Sequence, residues 1–393
     1  QDELHLLTGP LGTLAGLVET AIDTVWSEKG HKPKYIAATA TIRGADRDVM
    51  LMYGRELNIF PPPVSDAADN FFARLEEEAG RGRLHTAIMG PADRSRTLLN
   101  QPAGSLLQRI HQIREDNPSV SDEIFDPYYT LVGYFNSLRE LGGAQTAIPN
   151  QIAVEMMGRF SADWNGGQKR DLRQSMELTS RKTSAELKTV KAALNRRLGD
   201  PQGHVDTVVT TNMFQVGIDI PRLGLMTIVG QPRSNSEYIQ SSGRIGRRTP
   251  GLVLSLLRST YPRDQSHFEN FRAFHQEVYR NVDLTSTTPF AGGSLDRGME
   301  TAVAVMFRMH TDKLAGRMDL AALSRSAALT NECRDIMSSF LDKIRIREGE
   351  PGVDTPSALI DEAVRFAKRT WTSLRLFSRQ CEANGFEAAW EIF

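Results

Sequence analysis

A glycine–arginine block at residues 240–247 carries the clearest chemical pattern in this sequence. Its spacing is Q-x-x-G-R-x-G-R, with Gln240, Gly243, Arg244, Gly246 and Arg247 at the fixed positions. Two glycines let a turn and a helix start come close to another surface, and two arginines three residues apart lie on one face of a helical turn. Each guanidinium presents a rigid donor fork that matches phosphate oxygens. The block therefore predicts phosphate contact, and an arginine at a transferring γ-phosphate can raise a rate by roughly 10³–10⁵.

A second segment of chemical interest, "TTNMFQVGIDIP" at 210–221, lies shortly before that block. A predicted strand ends at Thr211, and a short loop leads to Gly217 and Asp219. Ligands of open α/β sheets bind outside the carboxyl ends of the strands, where we expect these residues to lie. Thr211 can donate to a phosphate, and Asp219 can accept from a ribose hydroxyl. Taken alone, the Gly-Ile-Asp triplet is explained equally well by a turn.

The elements that must position these residues alternate between strands and helices. Apolar and β-branched runs predict strands at 34–42, 84–90, 129–135, 175–180, 204–211, 225–230 and 252–257. Apolar residues at helical spacing predict helices at 12–26, 96–113 and 184–198, and another that begins within 137–144. This alternation predicts an α/β fold with a parallel sheet and right-handed crossovers.

The composition argues against several classes of protein. The 393 residues carry a formal net charge of −1, so only a local basic surface could favour nucleic acid. Cys333 and Cys381 form no metal-ligand pattern, which argues against a disulfide framework and a structural zinc site. Because no apolar run approaches the ~18 residues of a membrane helix, we expect no membrane partner and take the cytoplasm as the default location.

Together, the two segments resemble motifs V and VI of the superfamily 2 helicases. "TTNMFQVGID" is similar to motif V, and "QSSGRIGR" is similar to motif VI. Members have two RecA-like domains, with ATP between them and nucleic acid across the top. The resemblance implies RecA-like (P-loop NTPase type) parallel sheets and the use of ATP and Mg²⁺. It also implies arginine fingers at Arg244 and Arg247, nucleotide contacts from Gln240, Gly243, Gly217 and Asp219, and a nucleic-acid backbone contact from Thr211.

The first residues, "QDELH", resemble motif II of the same superfamily, a DExH box. The resemblance implies that Asp2 holds Mg²⁺, an ion that favours carboxylate and phosphate oxygens. Glu3 would orient and deprotonate the attacking water, and His5 would couple the ATP site to the nucleic-acid side. "ATAT" at 38–41 resembles motif III, in which Thr39 and Thr41 would relay between the domains.

The resemblance also predicts a chain truncated at motif II. A phosphate-binding loop, G-x-x-x-x-G-K-[ST], should precede the DExH box, and the 393 residues contain no Gly-Lys dipeptide. We therefore expect this fragment alone not to hydrolyse ATP, and the helicase activity to belong to a longer parent protein.

Two further strand ends resemble nucleic-acid-binding motifs. "VGYFNSLREL" at 132–141 is similar to motif IV, and "ELTSRKTSAEL" at 177–187 is similar to the neighbouring binding segment. The resemblance implies backbone contacts from Asn136, Ser137, Arg139, Thr179, Ser180 and Arg181. Such groups at successive strand ends suit sequence-independent, salt-sensitive tracking of phosphates. A strand-to-helix turn with an N-cap serine is the alternative for each segment.

Within the superfamily, four phrases together resemble the helicase component of bacterial DISARM anti-phage systems, the DrmA-like proteins. They are "QDELHLLTGPLGTLAGL", "ELTSR", "GIDIPRLGLMTIVGQPRSNSEYIQSSGRIGR" and "TPFAGGSLDRG". The resemblance spans most of residues 1–310. It implies a role in defence against phage, DNA as the substrate (single-stranded or tailed duplex), and a DUF1998-type partner protein from the same system.

The resemblance and the composition together predict four regions. Residues 1–60 would be the C-terminal half of a first RecA-like domain, 61–70 a proline-rich linker, 71–264 a second RecA-like domain, and 265–393 a helical region. In the last region, the aromatic residues of 268–275 lie at helical spacing and are expected to face a core. A base-stacking face is the alternative for them.

Two other functions stay open. A non-enzymatic nucleic-acid-binding scaffold could keep a RecA-like shell, although such a shell has no chemical need for Asp2, Glu3, Arg244 and Arg247 together. An RNA-dependent ATPase is the second alternative, because backbone contacts matter for RNA as they do for DNA.

Overall fold

The computed structural model describes two compact units, each with a hydrophobic core of its own. The helical unit comprises residues 1–72 and 284–393, and the sheet unit comprises residues 73–283. The described residues are 1–7, 9–39, 45–62, 64–66, 69–72, 74, 82–90, 95–159, 168–211, 219–278, 287–314, 322–348 and 357–384.

Helices occur in both units. In chain order the α-helices are α1 (Gly9–Glu28), α2 (Asp46–Tyr53), α3 (Ser95–Asp116), α4 (Asp122–Phe125), α5 (Leu138–Ala147), α6 (Ser184–Leu194), α7 (Asn235–Ser242), α8 (Pro262–Glu269), α9 (Phe271–Gln276), α10 (Gly292–His310), α11 (Ala322–Arg325), α12 (Ala327–Glu348) and α13 (Ser357–Asn384). Short 3₁₀ segments lie at Leu4–Leu6, Asp126–Tyr128 and Asp312–Leu314, and a π-helix at Ile148–Met156 continues α5. None of the helices within the described ranges is long and apolar enough to cross a membrane.

A parallel sheet forms the centre of the sheet unit. Its described strands are β1 (Arg83–Gly90), β2 (Leu131–Phe135), β3 (Ser175–Leu178), β4 (Thr207–Thr210), β5 (Leu225–Val229) and β6 (Gly251–Arg258). Their order across the sheet is β1-β6-β5-β2-β4-β3, and every neighbouring pair is parallel. The predicted α/β fold with a parallel sheet is therefore confirmed.

The two faces of the sheet carry separate apolar layers, because successive strand residues point to opposite sides. Val132 and Met226 belong to one layer, together with residues of α6 and α7. Leu131 and Leu225 belong to the other, together with residues of α3 and α5. Since α5 follows β2 and α7 follows β5, the chain leaves two adjacent strands toward opposite faces. Such a switch point opens a crevice outside the carboxyl ends of the strands, where open sheets bind ligands.

Helix α1 lies against the centre of the helical unit, where it packs on α2, α10 and α12. Its residues Leu17, Ala21 and Val25 are at most 1% exposed and recur every four positions, which places them on one stripe of the helix. The same core takes up apolar residues of α10, α12 and α13, including the buried Cys333 of α12. Segments from the beginning and the end of the chain thus share one core.

The predicted buried strand at 34–42 is not observed. Residues 34–39 form no regular strand, and the side chain of Ile36 is 73% exposed. Gln1 and Leu4 pair with this segment: the Ala38 nitrogen donates to the Gln1 carbonyl at 2.8 Å, and the Leu4 nitrogen donates to the Ala38 carbonyl at 3.1 Å. Apolar and β-branched residues favour extension, but burial depends on what packs on the segment. Residues 40–42 lie outside the described ranges.

The compact units divide the chain differently from the predicted regions. Helices α8 and α9 belong to the sheet unit, since α8 packs on β1 and β6, whereas residues from 284 onward group with residues 1–72. The boundary at 72/73 lies close to the predicted linker at 61–70. The assignment of the four regions to two RecA-like domains, a linker and a helical end stays a prediction.

Candidate nucleotide and nucleic-acid sites

The carboxyl ends of the central strands meet at one edge of the sheet, here called the carboxyl edge. Phe135 pairs with Val229 and Tyr134 with Thr210, and the last residue of β3 also pairs with Thr210. The residues that follow these strands therefore lie at this edge. They include Asn136, Thr179 and Thr211, three of the predicted nucleic-acid contacts.

Asn136 holds the loop between β5 and α7. Its Nδ2 donates to the carbonyls of Val229 at 3.1 Å, Gly230 at 3.2 Å and Gln231 at 3.3 Å. Its Oδ1 is buried and has no hydrogen-bond partner in the described part of the chain. The amide thus fixes the crevice between β2 and β5 and keeps one acceptor unused.

Ser137 and Arg139 begin the helix after β2. Ser137 is the N-cap of α5, and its hydroxyl accepts from the Glu140 nitrogen at 3.3 Å. The N-cap role that the sequence left open for Ser137 is therefore observed, and a contact of Ser137 with nucleic acid stays a prediction. Arg139 is exposed in the first turn of α5.

The segment after β3 presents Ser180 and Arg181 rather than Thr179. Thr179 is fully buried, and its hydroxyl donates to the Glu177 carboxylate at 2.5 Å. Ser180 and Arg181 are exposed. Helix α6 then starts with a capping box between Thr183 and Glu186. Of the predicted contacts here, only the exposed pair has side chains open to a large ligand.

The glycine–arginine block lies at the opposite, amino-terminal edge of the sheet, here called the amino edge. The nitrogen of Gly246 donates to the Leu223 carbonyl at 2.8 Å, and Arg83 Nε at the start of β1 donates to the Ile245 carbonyl at 2.7 Å. Gly246 has φ of 68°, and a Cβ there would lie 2.8 Å from Cα and N of Gly251. Glycine is thus required for both the backbone conformation and the close approach.

Arg247 and Asp219 form an ion pair at the amino edge. Arg247 Nη1 lies 2.7 Å from Asp219 Oδ1, with the two side chains 37% and 51% exposed. Arg247 Nε also donates to the Gly243 carbonyl at 3.4 Å. Such exposed pairs contribute about 0–1 kcal/mol. The structure therefore brings together two residues predicted for one nucleotide site, through a contact that a phosphate could replace.

The rest of the block surrounds this pair. Gln240 lies in α7 and is half-buried, Gly243 ends that helix, and Arg244 follows half-buried. Ile245 is fully buried and anchors the turn in the core. The side chains of the block thus extend from a turn with a fixed backbone.

The expected position of Asp219 needs correction. The sequence placed it outside the carboxyl ends of the strands with Thr211, but Asp219 lies at the amino edge, where it pairs with Arg247. The reason is topological: between parallel strands β4 and β5 the chain must return to the edge where each strand begins. Thr211 and Asp219 therefore lie at opposite edges of the sheet. Gly217 lies outside the described residues.

The predicted DExH segment runs beside the segment before predicted motif III. The Ala38 nitrogen donates to the Gln1 carbonyl, and the Leu4 nitrogen donates to the Ala38 carbonyl, so Asp2 and Glu3 lie near Ala38. Asp2 Oδ1 accepts from the Glu3 nitrogen at 2.9 Å. Glu3 has φ of 52°, a left-handed conformation that is unusual outside glycine and that tends to occur at functional sites.

The remaining predicted coupling residues are described only in part. Thr39 is half-buried and follows the segment paired with Gln1. The side chain of His5 and all of Thr41 lie outside the described residues. Within those residues no group of three or more His, Cys, Asp or Glu side chains forms a metal site. Asp2 and Glu3 still fit Mg²⁺, which proteins usually hold with one or two carboxylates plus substrate phosphates.

A cluster of two half-buried histidines around the buried Tyr238, behind the glycine–arginine block, was not predicted. Tyr238 of α7 is 2% exposed, and its hydroxyl lies 2.9 Å from His85 Nδ1 and 2.7 Å from His275 Nε2. Burial, with His275 and Arg83 nearby, lowers the pKa of His85 to about 4. Burial also lowers the pKa of His275. Two neutral imidazoles therefore contact Tyr238 of α7. The sequence "AFHQ" around His275 gave no indication of a tyrosine partner.

The aromatic residues of α8 and α9 differ in burial, and the base-stacking alternative stays a prediction. Phe274 packs against the core beside α7, as the core-facing interpretation expects, and Phe268 is 39% exposed.

Comparisons with known proteins find helicases among the proteins similar to this chain. Residues 160–249 match the family model of the helicase conserved C-terminal domain. The DISARM protein DrmA of Bacillus paralicheniformis is 37% identical over 368 residues, which are 92% of this chain and 32% of that protein. The uncharacterized ATP-dependent helicase YprA of Bacillus subtilis is 22% identical over 267 residues, 67% of this chain and 30% of that protein. The chain thus spans about a third of these relatives' length.

Solved structures support the fold. The crystal structure of the DUF1998 helicase MrfA bound to DNA matches 78% of this chain and 36% of that chain, with a TM-score of 0.51 and 17% identity. The same helicase bound to DNA and AMPPNP gives a TM-score of 0.50, also with 17% identity and the same coverage. The sheet unit has the RecA-like fold of these helicases, and the predicted resemblance to superfamily 2 helicases is confirmed, with similarity to DISARM protein DrmA over 92% of the chain.

Proposed function

We propose that this chain is part of an ATP-dependent superfamily 2 DNA helicase or translocase of a DISARM-type anti-phage defence system. The observation that carries the proposal is the Arg247–Asp219 contact at the amino edge, formed by a turn that only glycine allows at position 246. A scaffold without catalysis has no need for an arginine held this way beside a second predicted nucleotide-binding residue.

At the amino edge, Arg244 and Arg247 would neutralise the charge that develops on the transferring phosphoryl group. Because the ion pair of Arg247 is worth only about 0–1 kcal/mol, a phosphate can displace Asp219 from the guanidinium at little cost. Asp219 would then be able to accept from a ribose hydroxyl, and Gln240, Gly243 and Gly217 would complete the nucleotide contacts. A fork-shaped donor suits phosphate oxygens better than a point charge does.

In the DExH segment, Asp2 would hold Mg²⁺, and Glu3 would take the proton of the attacking water. The bound Mg²⁺ would supply charge neutralisation at the phosphates. His5, Thr39 and Thr41 would couple this chemistry to nucleic-acid binding.

At the carboxyl edge, DNA would be held by its backbone. The exposed Arg139 follows β2, and the exposed Ser180 and Arg181 follow β3, with β4 between those two strands. Asn136 fixes the crevice between β2 and β5. Thr211, Ser137 and Thr179 are proposed to act through their backbone or through the shape of the edge, since their side chains are buried or engaged. Contacts of this kind are sequence-independent and weaken with salt.

The partner and the location follow from the same resemblance. We propose a DUF1998-type protein of the DISARM system as the partner, and the cytoplasm as the location, where a DNA-directed motor meets its substrate.

ATP hydrolysis with and without single-stranded DNA tests this proposal. Since the chain spans 32% of its DrmA relative, the test uses a protein of the relatives' full length. Arg247→Ala and Glu3→Gln should each lower DNA-stimulated turnover about 100-fold or more, the size expected for a lost arginine finger or general base. Arg248→Ala is the matched control, because Arg248 is the exposed neighbour of Arg247, and should stay within about threefold.

Two results would overturn the motor proposal. One is wild-type protein that binds DNA but hydrolyses no ATP, which favours the scaffold. The other is stimulated turnover that is indifferent to both substitutions. Stimulation by RNA but not by DNA would keep the ATPase and change its substrate.

A further inference from the structure

The helical unit contains a buried charge cluster that the proposed function does not use. Asp23 of α1 has a side chain 1% exposed and is contacted by three cations: Arg55 at 2.6 Å, Lys343 at 2.6 Å and Arg347 at 3.2 Å. These four residues are called the Asp23 cluster. Lys343 and Arg347 belong to α12, about 320 residues away along the chain.

The carboxylate of this cluster is ionised. Burial would raise the pKa of Asp23, but hydrogen bonds from Lys343 and Arg55, together with the charges of Lys343 and Arg347, hold it below its ordinary value. Burial lowers the pKa of Arg347, and the charge of Asp23 opposes that shift. Buried charges of this kind persist where each is paired and hydrogen-bonded.

Arg347 connects three elements of the unit. Its Nη1 donates to Thr20 Oγ1 of α1 at 2.7 Å and to the Met52 carbonyl at the end of α2 at 2.5 Å. The guanidinium lies over Gly54, where a Cβ would be 2.9 Å from Arg347 Nε and where φ is 61°. Helix α12 thus fixes the turn that ends α2.

Arg55 holds the same turn from the other side. Its Nη1 donates to the carbonyls of Tyr53 at 3.3 Å and Gly54 at 3.0 Å, while its Nη2 donates to Asp23 Oδ1. The backbone of 52–54 is therefore held by two guanidinium groups, and both are oriented by Asp23.

Tyr53 connects the turn at 52–54 to the predicted DExH segment. Its side chain is buried, its ring centroid lies 4.6 Å from that of Tyr35, and its hydroxyl donates to Gln1 Oε1. Burial, followed by the charge of Glu19, raises the pKa of Tyr53 to about 12, so the hydroxyl is protonated at neutral pH. Gln1 immediately precedes Asp2, and Tyr35 lies three residues before Ala38, whose nitrogen donates to the Gln1 carbonyl.

We propose that Arg347 and Tyr53 are positioning residues for the predicted DExH box, so that the helices after the sheet unit set the geometry of Asp2 and Glu3. The path runs from Arg347 through the 52–54 turn to Tyr53 and then to Gln1. The proposal rests on the proposed function for the meaning of that geometry, but the order of residues 1–7 can be measured without any activity.

The chain offers a matched pair of variants. Tyr53→Phe removes the hydroxyl that donates to Gln1. Tyr35→Phe removes a hydroxyl that is also buried but has no hydrogen-bond partner among the described residues. Both changes keep the two stacked rings, and neither creates a cavity. Arg347→Lys keeps a charge in the cluster but replaces the planar fork, whose two nitrogens donate to Thr20, Met52 and Asp23, with a single donor atom.

Two readouts are taken on the full-length protein. Amide hydrogen exchange of residues 1–7 and 35–38 should become at least about fivefold faster in Tyr53→Phe and Arg347→Lys, and remain unchanged in Tyr35→Phe. DNA-stimulated kcat should fall about 5- to 10-fold in the first two variants, with KM for ATP within about twofold, since a small misplacement of catalytic groups lowers the rate rather than binding. The double variant should lose no more than the worse single variant, because both residues act on one path.

The alternative outcomes are distinct. Unchanged exchange at 1–7 in Tyr53→Phe, or equal acceleration in Tyr35→Phe, would overturn the positioning role. Losses of kcat that multiply in the double variant would also overturn it, since they would indicate two independent structural effects. If the wild type hydrolyses no ATP, the proposed function fails, and the exchange experiment still decides whether Arg347 and Tyr53 order the segment.

Discussion

Two Arg–Asp pairs in this molecule share the same functional groups and differ in everything around them. At the amino edge of the sheet unit, Arg247 and Asp219 are 2.7 Å apart, with side chains 37% and 51% exposed. In the helical unit, Arg347 and Asp23 are 3.2 Å apart, and both side chains are 1% exposed. The shorter pair is therefore the weaker one, because water screens it.

The difference in burial means that the Arg247–Asp219 contact can be exchanged for another, whereas the Arg347–Asp23 contact is fixed. Breaking an exposed pair costs about 0–1 kcal/mol, whereas removing one partner of a buried pair costs about 3–5 kcal/mol. Arg247 is thus able to turn toward a phosphate, as the proposed function requires. Arg347, held by Asp23, Thr20 and Met52, suits a fixed reference point for the elements it joins.

Removing the buried carboxylate is expected to have the largest effect. Asp23→Asn keeps the shape of the side chain but leaves Lys343 and Arg347 without a counter-charge, so the free energy of unfolding should fall by about 3–5 kcal/mol. Urea denaturation measures this. Asp342→Asn is the control on α12, since Asp342 is 63% exposed and pairs with Arg345, and should change stability by less than about 0.5 kcal/mol. A loss below about 1 kcal/mol for Asp23→Asn would remove the contrast between the two pairs.

The two regions should lose stability in different ranges of pH, because the pKa values of His85 and Asp23 differ from their ordinary values in different ranges. The pKa of His85 in the sheet unit is lowered to about 4. Since the unfolded chain takes up this proton near pH 6.5 and the folded chain does not, stability should fall by on the order of 2–3 kcal/mol between pH 6.5 and 4. The pKa of Asp23 is lowered, so its ionised carboxylate contributes fully to the free energy of unfolding at pH values above the ordinary pKa of 3.8. That contribution is lost only as the pH falls below 3.8.

Urea midpoints at a series of pH values test this separation. His85→Gln should remove the His85 contribution to the dependence between pH 6.5 and 4 and leave that of His275, whose pKa is also lowered by burial, while Asp23→Asn should leave that slope unchanged. A wild-type protein whose stability is constant over this range would contradict the neutral state of His85.

The turn at the amino edge should tolerate no side chain at position 246. Gly246→Ala combines a left-handed φ of 68° with a Cβ 2.8 Å from the Gly251 backbone, and should destabilise the protein by about 2 kcal/mol. Gly30→Ala is the matched control, because Gly30 has φ of 76° but nothing within 4 Å of its Cβ position. It should cost about 1 kcal/mol. Equal losses would show that strain alone, without close packing, explains the glycine.

The smallest effect is expected for the exposed pair itself. Asp219→Asn should change the free energy of unfolding by less than about 1 kcal/mol, and added salt should reduce even that difference. Urea denaturation at low and high salt measures it. A loss comparable to that of Asp23→Asn would mean that Arg247 is fixed by Asp219 and is not available to a phosphate.

Most strands of the sheet unit could be predicted, because each is encoded by a short apolar run in its own segment. The strands at 131–135, 225–229 and 251–258 lie within or next to apolar runs, and buried parallel strands need little else. The resemblance to motifs V and VI likewise implied that Asp219, Gln240 and Arg247 belong to one nucleotide site. The structure places Arg247 and Asp219 in contact.

The remaining features depend on contacts between distant segments. Ile36 lies in a segment whose composition predicts a buried strand, yet its side chain is exposed. Burial depends on which other segments pack on a residue, and the local sequence does not show this. The edge of the sheet at which Asp219 lies follows from the return of the chain between the parallel strands β4 and β5, which residues 210–221 alone do not show. The contact of Asp23 with Arg347 joins residues 324 positions apart, and neither residue lies in a motif. The Ser137 cap was foreseen only as an alternative, since serine suits both a helix start and a phosphate contact.

The most direct test of the central claim is a DNA titration of ATP turnover by Arg247→Ala in the full-length protein. If Arg247 acts on the nucleotide at the amino edge, kcat at saturating DNA should stay about 100-fold or more below wild type. The DNA concentration that gives half-maximal stimulation should then stay within about threefold of wild type. If turnover instead recovers at saturating DNA and the half-maximal concentration rises, Arg247 contacts the nucleic acid, and the assignment of the amino edge to ATP is contradicted.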